Sequence, residues 1–251
     1  MSSHDRAALL IAALTCITCA SVAKAAEITY TFTVNGCSTA GITCATGSLG
    51  STDFSITGSG SDELKFSYVG NTSAVVNWGG GWELLGGTAT VSLLSSGGSV
   101  LASGTFSTAD GMFVSIHNAQ NGIGLGSAGV PQGTSGFPGQ PIYPVGFFNS
   151  ALSTYNMQVS LGPLTGGASN CYGNLPVGTC QTDGMPLALT SGGSFVFNNP
   201  SQTFSGEAYV GTFSAVVSTA TAPEPATLGL IVMGLAGIRV MRGGTRKSNV
   251  R

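Results

Sequence analysis

A Ser-His-Asp relay needs an imidazole, and between Ala26 and Ala222 the chain offers one, His117. It ends a strand-like run, Met112-Phe113-Val114-Ser115-Ile116, and no Gly-x-Ser-x-Gly elbow accompanies it. His117 is expected to be a structural or surface residue, and no catalytic residue is assigned. The adjacent acids Asp62 and Glu63 lie beside a Gly/Ser turn. Paired carboxylates serve glycoside hydrolysis or calcium binding, but neighbours on a strand point to opposite faces, so a solvated turn is expected. Gly124-Leu125-Gly126-Ser127-Ala128-Gly129 spells a dinucleotide fingerprint, yet Val130-Pro131 follows it in place of a helix. Lys65 is the only lysine of this stretch and sits in a strand pattern, so no Walker loop can form.

Two features remain. Trp78-Gly79-Gly80-Gly81-Trp82 places two indoles around three glycines. Such a turn can present Trp78 and Trp82 as a platform for the C–H faces of sugar rings, or it can pack both into the core. Four cysteines follow the first 25 residues: Cys37, Cys44, Cys171 and Cys180. Six residues separate the first pair and eight the second, against roughly two to four in zinc sites, so disulfides are expected and a metal is not. Of the three pairings, Cys37–Cys44 with Cys171–Cys180 is favoured, because each pair brackets a Gly/Thr-rich loop. No cofactor is expected.

The elements that would position these residues are strands. Residues 28–34 alternate apolar side chains with threonine and stop at Asn35-Gly36, a turn signal. Further strand patterns cover 54–57, 64–69, 74–78, 88–94, 99–106, 112–116, 155–161, 194–197 and 209–217. Glycine makes up 39 of the 251 residues and charged residues only 7%, which opposes long solvated helices and suits short strands with many turns. Residues 121–145, rich in Gly, Pro, Ser and Gln, read as a long surface loop, and 162–184 as a second one. The expected architecture is all-β, a β-sandwich of jelly-roll type with Ser and Thr on a wet outer face.

Charge is partitioned. Between Ala26 and Ala222 one basic residue, Lys65, stands against eight acids, so nucleic-acid binding is excluded as an expectation. The remaining basic residues lie near the ends, where membrane topology is decided. Arg6 precedes an apolar stretch, 7–20, too short for a good spanning helix, and Ala23-Lys24-Ala25 follows as a small-x-small triplet. Residues 1–25 are expected to be a signal peptide, cut by signal peptidase between Ala25 and Ala26.

At the other end Pro223-Glu224-Pro225 precedes an apolar run, 226–238, and a tail carrying Arg239, Arg242, Arg246, Lys247 and Arg251. The prolines keep the motif extended. Counted on to Met241, the apolar helix spans about 226–241, and the basic tail stays cytoplasmic by the positive-inside rule. This three-part order in residues 222–251 resembles the C-terminal sorting signal of PEP-CTERM proteins of Gram-negative bacteria. The resemblance implies recognition by an exosortase, a transient hold in the inner membrane, removal of the tail, and release of the 26–221 domain to the cell surface or extracellular matrix. It also implies association with exopolysaccharide or biofilm. The expected role is structural or adhesive and non-catalytic. The alternatives are a carbohydrate-binding module using Trp78 and Trp82, and a secreted hydrolase.

Overall fold

The strict alternation of the first strand pattern is realised as β1 (Glu27–Cys37). Ile28, Tyr30, Phe32 and Val34 are buried while Thr29, Thr31 and Thr33 are half-exposed. The computed structural model describes residues 26–39, 42–58, 62–128, 142–169, 186–198 and 209–218. The signal segment, Ala23 and Ala25 among it, Cys171, Cys180, the sorting motif Pro223-Glu224-Pro225, the apolar run and the basic tail lie outside the described residues. Asn35-Gly36 does not end β1. It forms an irregularity in the ladder, with the register shifting between Val34 and Gly36, and the strand runs on to Cys37.

Fourteen further strands follow. They are β2 (Thr43–Leu49), β3 (Thr52–Thr57), β4 (Glu63–Asn71), β5 (Val75–Asn77), β6 (Gly81–Leu84), β7 (Thr88–Leu94) and β8 (Val100–Thr105). The second half contributes β9 (Met112–His117), β10 (Gly122–Ser127), β11 (Ile142–Phe148), β12 (Leu161–Ser169), β13 (Leu187–Ala188), β14 (Ser194–Asn198) and β15 (Tyr209–Ser218). All pairs are antiparallel. One sheet has eleven strands in the order β5-β6-β9-β10-β11-β12-β15-β1-β4-β7-β8, and the other has four, β13-β14-β2-β3.

The small sheet is made of two excursions. Hairpin β2–β3 leaves between β1 and β4, hairpin β13–β14 leaves between β12 and β15, and the two join through the β14–β2 ladder. Phe195 of β14 meets Phe66 of β4 edge-on at 5.5 Å and Phe106 at 5.9 Å, so apolar faces of both sheets share one core. The result is all-β and sandwich-like, with the strands divided eleven to four in place of the near-equal sheets of a jelly roll. At its far side the large sheet curls. Tyr68 of β4 donates its hydroxyl to the Leu84 carbonyl of β6 and accepts from the Gly87 N–H, which brings β6 back beside β4.

Three expectations are corrected. Residues 121–145 are not one loop, because β10 and β11 lie within them and pair with each other. The alternation there is real, with Ile123 and Leu125 inward and glycine on the other face, so glycine marks a strand face as much as a turn. Residues 162–169, read as loop, belong to β12. Conversely, 155–160 form no strand. Met157 has φ 62°, which a strand cannot accommodate, and the Asn156 carboxamide accepts from the Gln158 N–H in a local turn. That turn still faces inward, since Tyr155 and Met157 are buried and the Tyr30 hydroxyl donates to the Met157 carbonyl at 2.6 Å.

Cys37 and Cys44 form a disulfide with Cα atoms 5.6 Å apart, joining the end of β1 to the start of β2. This is the favoured local pairing for that half. The bridge anchors the first excursion where it leaves the large sheet. In the chain-entropy picture so short a loop gains roughly 2–3 kcal/mol.

Candidate functional site

The hairpin β5–β6 turns on Gly79-Gly80. Gly79 has φ +91°, the sign a type II′ hairpin requires at its first central residue. The Trp78 N–H donates to the Gly81 carbonyl at 3.2 Å, and the Asn77 carboxamide oxygen accepts from the Gly79 N–H at 2.7 Å. The glycines are needed for space as well as for φ. A Cβ on Gly80 would lie 2.1 Å from Trp78 Cζ3, so the indole folds down over the turn.

Register decides where the two indoles point. Asn77 opposes Trp82, Trp82 opposes Ile116, and Ile116 is fully buried. Trp82 therefore faces inward, packed against the core beside Leu84. Trp78 is across the turn from Gly81, which opposes His117, so it lies on the outer face. There it is 42% exposed and meets the His117 ring edge-on at 4.8 Å. Trp78 and Trp82 do not make one platform. Their spacing in a hairpin with a two-residue turn puts them on opposite faces, and Trp78 alone presents a ring to solvent.

The outer face continues along β6, β9, β10 and β11 with polar residues that the sequence did not single out. Glu83 opposes Ser115, and Ser115 opposes Gly124. The Ser115 and Tyr143 hydroxyls are 3.3 Å apart, and Tyr143 meets Phe113 edge-on at 5.6 Å. Phe113 in turn lies over Gly126, where a Cβ would come within 2.5 Å of its ring. The face thus grades from an open end at Trp78 to a closed end at Ser115, Phe113 and Tyr143, all buried. The signal for Ser115 was available, since it alternates with His117 in β9. Tyr143 carries no such signal, because it stands between Pro141 and Pro144 in a stretch whose composition points to a loop.

Burial sets the protonation of this face. It holds the Glu83 carboxyl above its ordinary value and the His117 imidazole below its own. Tyr143 is raised, first by burial and further by the Glu83 charge, while the Ser115 hydrogen bond works the other way. Neutral imidazole, phenol and hydroxyl beside an exposed indole suit hydrogen bonding to a polar uncharged group better than ion binding. Among the described residues no group of three or more His, Cys, Asp or Glu is placed to hold a metal ion. Glu63 opens β4 opposite Leu94, with Asp62 just before it, and both acids are half-exposed.

The depressed His117 pKa makes a prediction. The unfolded chain binds that proton more tightly than the folded one, with a pKa of about 6.5. This contribution to stability is fully present above that value and is lost as pH falls through it, levelling once the folded imidazole is protonated too. The raised Glu83 works in the opposite sense at lower pH, so the comparison must be made against a variant. His117→Gln is expected to flatten the fall in melting temperature between neutral pH and about pH 5. Superimposable profiles for the two proteins would show that burial of His117 does not set the pH dependence of stability in this range.

No protein-family model, no curated protein and no solved structure matches this chain.

Proposed function

We propose that this is an exported, exosortase-sorted protein of the cell surface or extracellular matrix, with a structural or adhesive and non-catalytic role. The observation that carries the reading is the order of the last 30 residues: Pro223-Glu224-Pro225, the apolar run 226–238, then Arg239, Arg242, Arg246 and Lys247. Signal peptidase removes residues 1–25 with cleavage before Ala26, the helix near 226–241 holds the chain transiently in the inner membrane, and an exosortase cuts near Pro223. The β-sandwich-like body would then be released. The Cys37–Cys44 disulfide supports an oxidising compartment. The scarcity of basic residues in the body supports a partner other than nucleic acid, and exopolysaccharide fits that requirement.

The test is the intact mass of the secreted protein from cells with and without the exosortase. The expected result is loss of residues 1–25 and of a C-terminal stretch starting near Pro223, the latter only when the enzyme is present. An uncut C-terminus in both strains would overturn the reading. A second reading, a glycan contact, is favoured by one observation, the exposed Trp78 ring over the Gly79-Gly80 turn. It rests on Trp78 without Trp82.

A further inference from the structure

The register of the large sheet lines up hydroxyl side chains. Ser214 of β15 opposes Thr31 of β1, Thr31 opposes Ser67 of β4, Ser67 opposes Thr90 of β7, and Thr90 opposes Thr105 of β8. The next row runs Thr165 of β12, Thr212, Thr33, Lys65, Ser92 and Ser103. Residues directly opposite share a face. The other face of these strands carries Tyr30, Phe32, Phe66, Tyr68, Val91 and Phe213, all in the core, so both rows are on the outer face. None of their residues is buried.

Strand geometry fixes the pitch. Neighbours in a row are about 4.8 Å apart, the two rows about 7 Å apart, and six strands give a row about 24 Å long. One charged side chain, Lys65, interrupts an otherwise neutral array, and two acids, Glu27 and Glu63, flank it on the same face. A polyanion finds one cation there and is repelled at the rim. A neutral ligand is not. Each exposed hydrogen bond has a small net value against water, so a ligand making one or two contacts gains little. A stiff polymer that meets a whole row loses its freedom once and gains many contacts, and short Ser and Thr side chains held by strands have little left to lose.

We propose that the outer face of β12-β15-β1-β4-β7-β8 is a contact surface for a neutral, hydroxyl-bearing polysaccharide chain, with Thr31, Ser67, Thr90 and Thr212 at its centre. This deepens the matrix role proposed above and rests on it for the presence of polymer, but its surface is separate from Trp78. The probes are microcrystalline cellulose and curdlan, both neutral, and alginate-coated beads, which are anionic. The test variant is Thr31→Val/Thr33→Val/Thr90→Val/Thr212→Val, which removes hydroxyls while keeping β-branching and strand preference.

The secreted protein is expected to be retained on at least one neutral polymer and not on alginate. The valine variant, checked for an unchanged melt, is expected to lose at least about tenfold in retention. Should the valine variant fail to melt cooperatively, Ser67→Glu in the same row is expected to give the same loss. Undiminished retention by the valine variant, loss confined to Trp78→Ala, retention on alginate, or retention on neither neutral polymer would overturn the proposal. Cleavage near Pro223 is read separately by mass, so failure of the surface and failure of the sorting reading are told apart.

Discussion

Phe213→Ala is expected to lower the unfolding free energy by about 3–5 kcal/mol, seen as a shift of the denaturant midpoint with little change of slope. Phe213 sits in β15, the strand between β12 and β1 in the large sheet. Its ring lies 5.1 Å from Phe32, 5.7 Å from Phe147, 6.3 Å from Tyr30 and 6.5 Å from Tyr155, centroid to centroid. Those partners come from β1, from β11 and from the inward turn after Thr154. Removing the ring therefore opens a cavity with walls on three separate segments, which cannot collapse by moving one of them. A domain of this size has only about 5–15 kcal/mol of stability in total, so the variant loses a large share of it. Phe213→Leu keeps most of the volume and should cost about 1–2 kcal/mol. Equal midpoints for the alanine variant and the unmodified protein would mean that β15 is not at the centre of the core.

The strand content was legible where two chemistries alternate. In β1 and β4 apolar side chains alternate largely with threonine, serine or lysine, and both strands appear close to where the pattern places them, each running somewhat further. Legibility failed where glycine occupies the second face. Gly122, Gly124 and Gly126 alternate with Ile123, Leu125 and Ser127, but glycine is also the turn residue, and composition outweighed period. The turn at Met157 was missed for the opposite reason, since Tyr155 to Leu161 carries strand-like residues and the left-handed φ of Met157 is imposed by tertiary contacts such as the Tyr30 hydroxyl. The tryptophan pair was half legible. The hairpin could be read, but which face each indole takes depends on whether the turn has two residues or three, and one residue of register exchanges the faces. The outer cluster of Glu83, Ser115 and Tyr143 needs three strands from distant parts of the chain in register, which no local pattern encodes.

Gly81→Val tests that register directly and is expected to cost more than about 4 kcal/mol, or to detach hairpin β5–β6 from the sheet. A Cβ at Gly81 would stand 1.7 Å from the Ile116 carbonyl oxygen and 3.3 Å from Trp78 Cζ2. The first of these is backbone in the neighbouring strand of the ladder, so no rotamer change relieves it; β6 must move away from β9. Movement would break the Gly81–His117 and Trp82–Ile116 pairings together. Gly86→Ala is the contrasting case. Gly86 has φ +74° with nothing within 4 Å of an added Cβ, so alanine there meets only backbone strain, about 1–2 kcal/mol. The chain's two tryptophans, Trp78 and Trp82, both belong to this hairpin, which makes intrinsic fluorescence a local reporter of its docking. Gly81→Val should red-shift the emission as Trp82 leaves the core, while Gly86→Ala leaves it in place. Matching melts and matching spectra for the two variants would mean that β6 does not pair with β9, and the inward placement of Trp82 and the outward placement of Trp78 would fall with it.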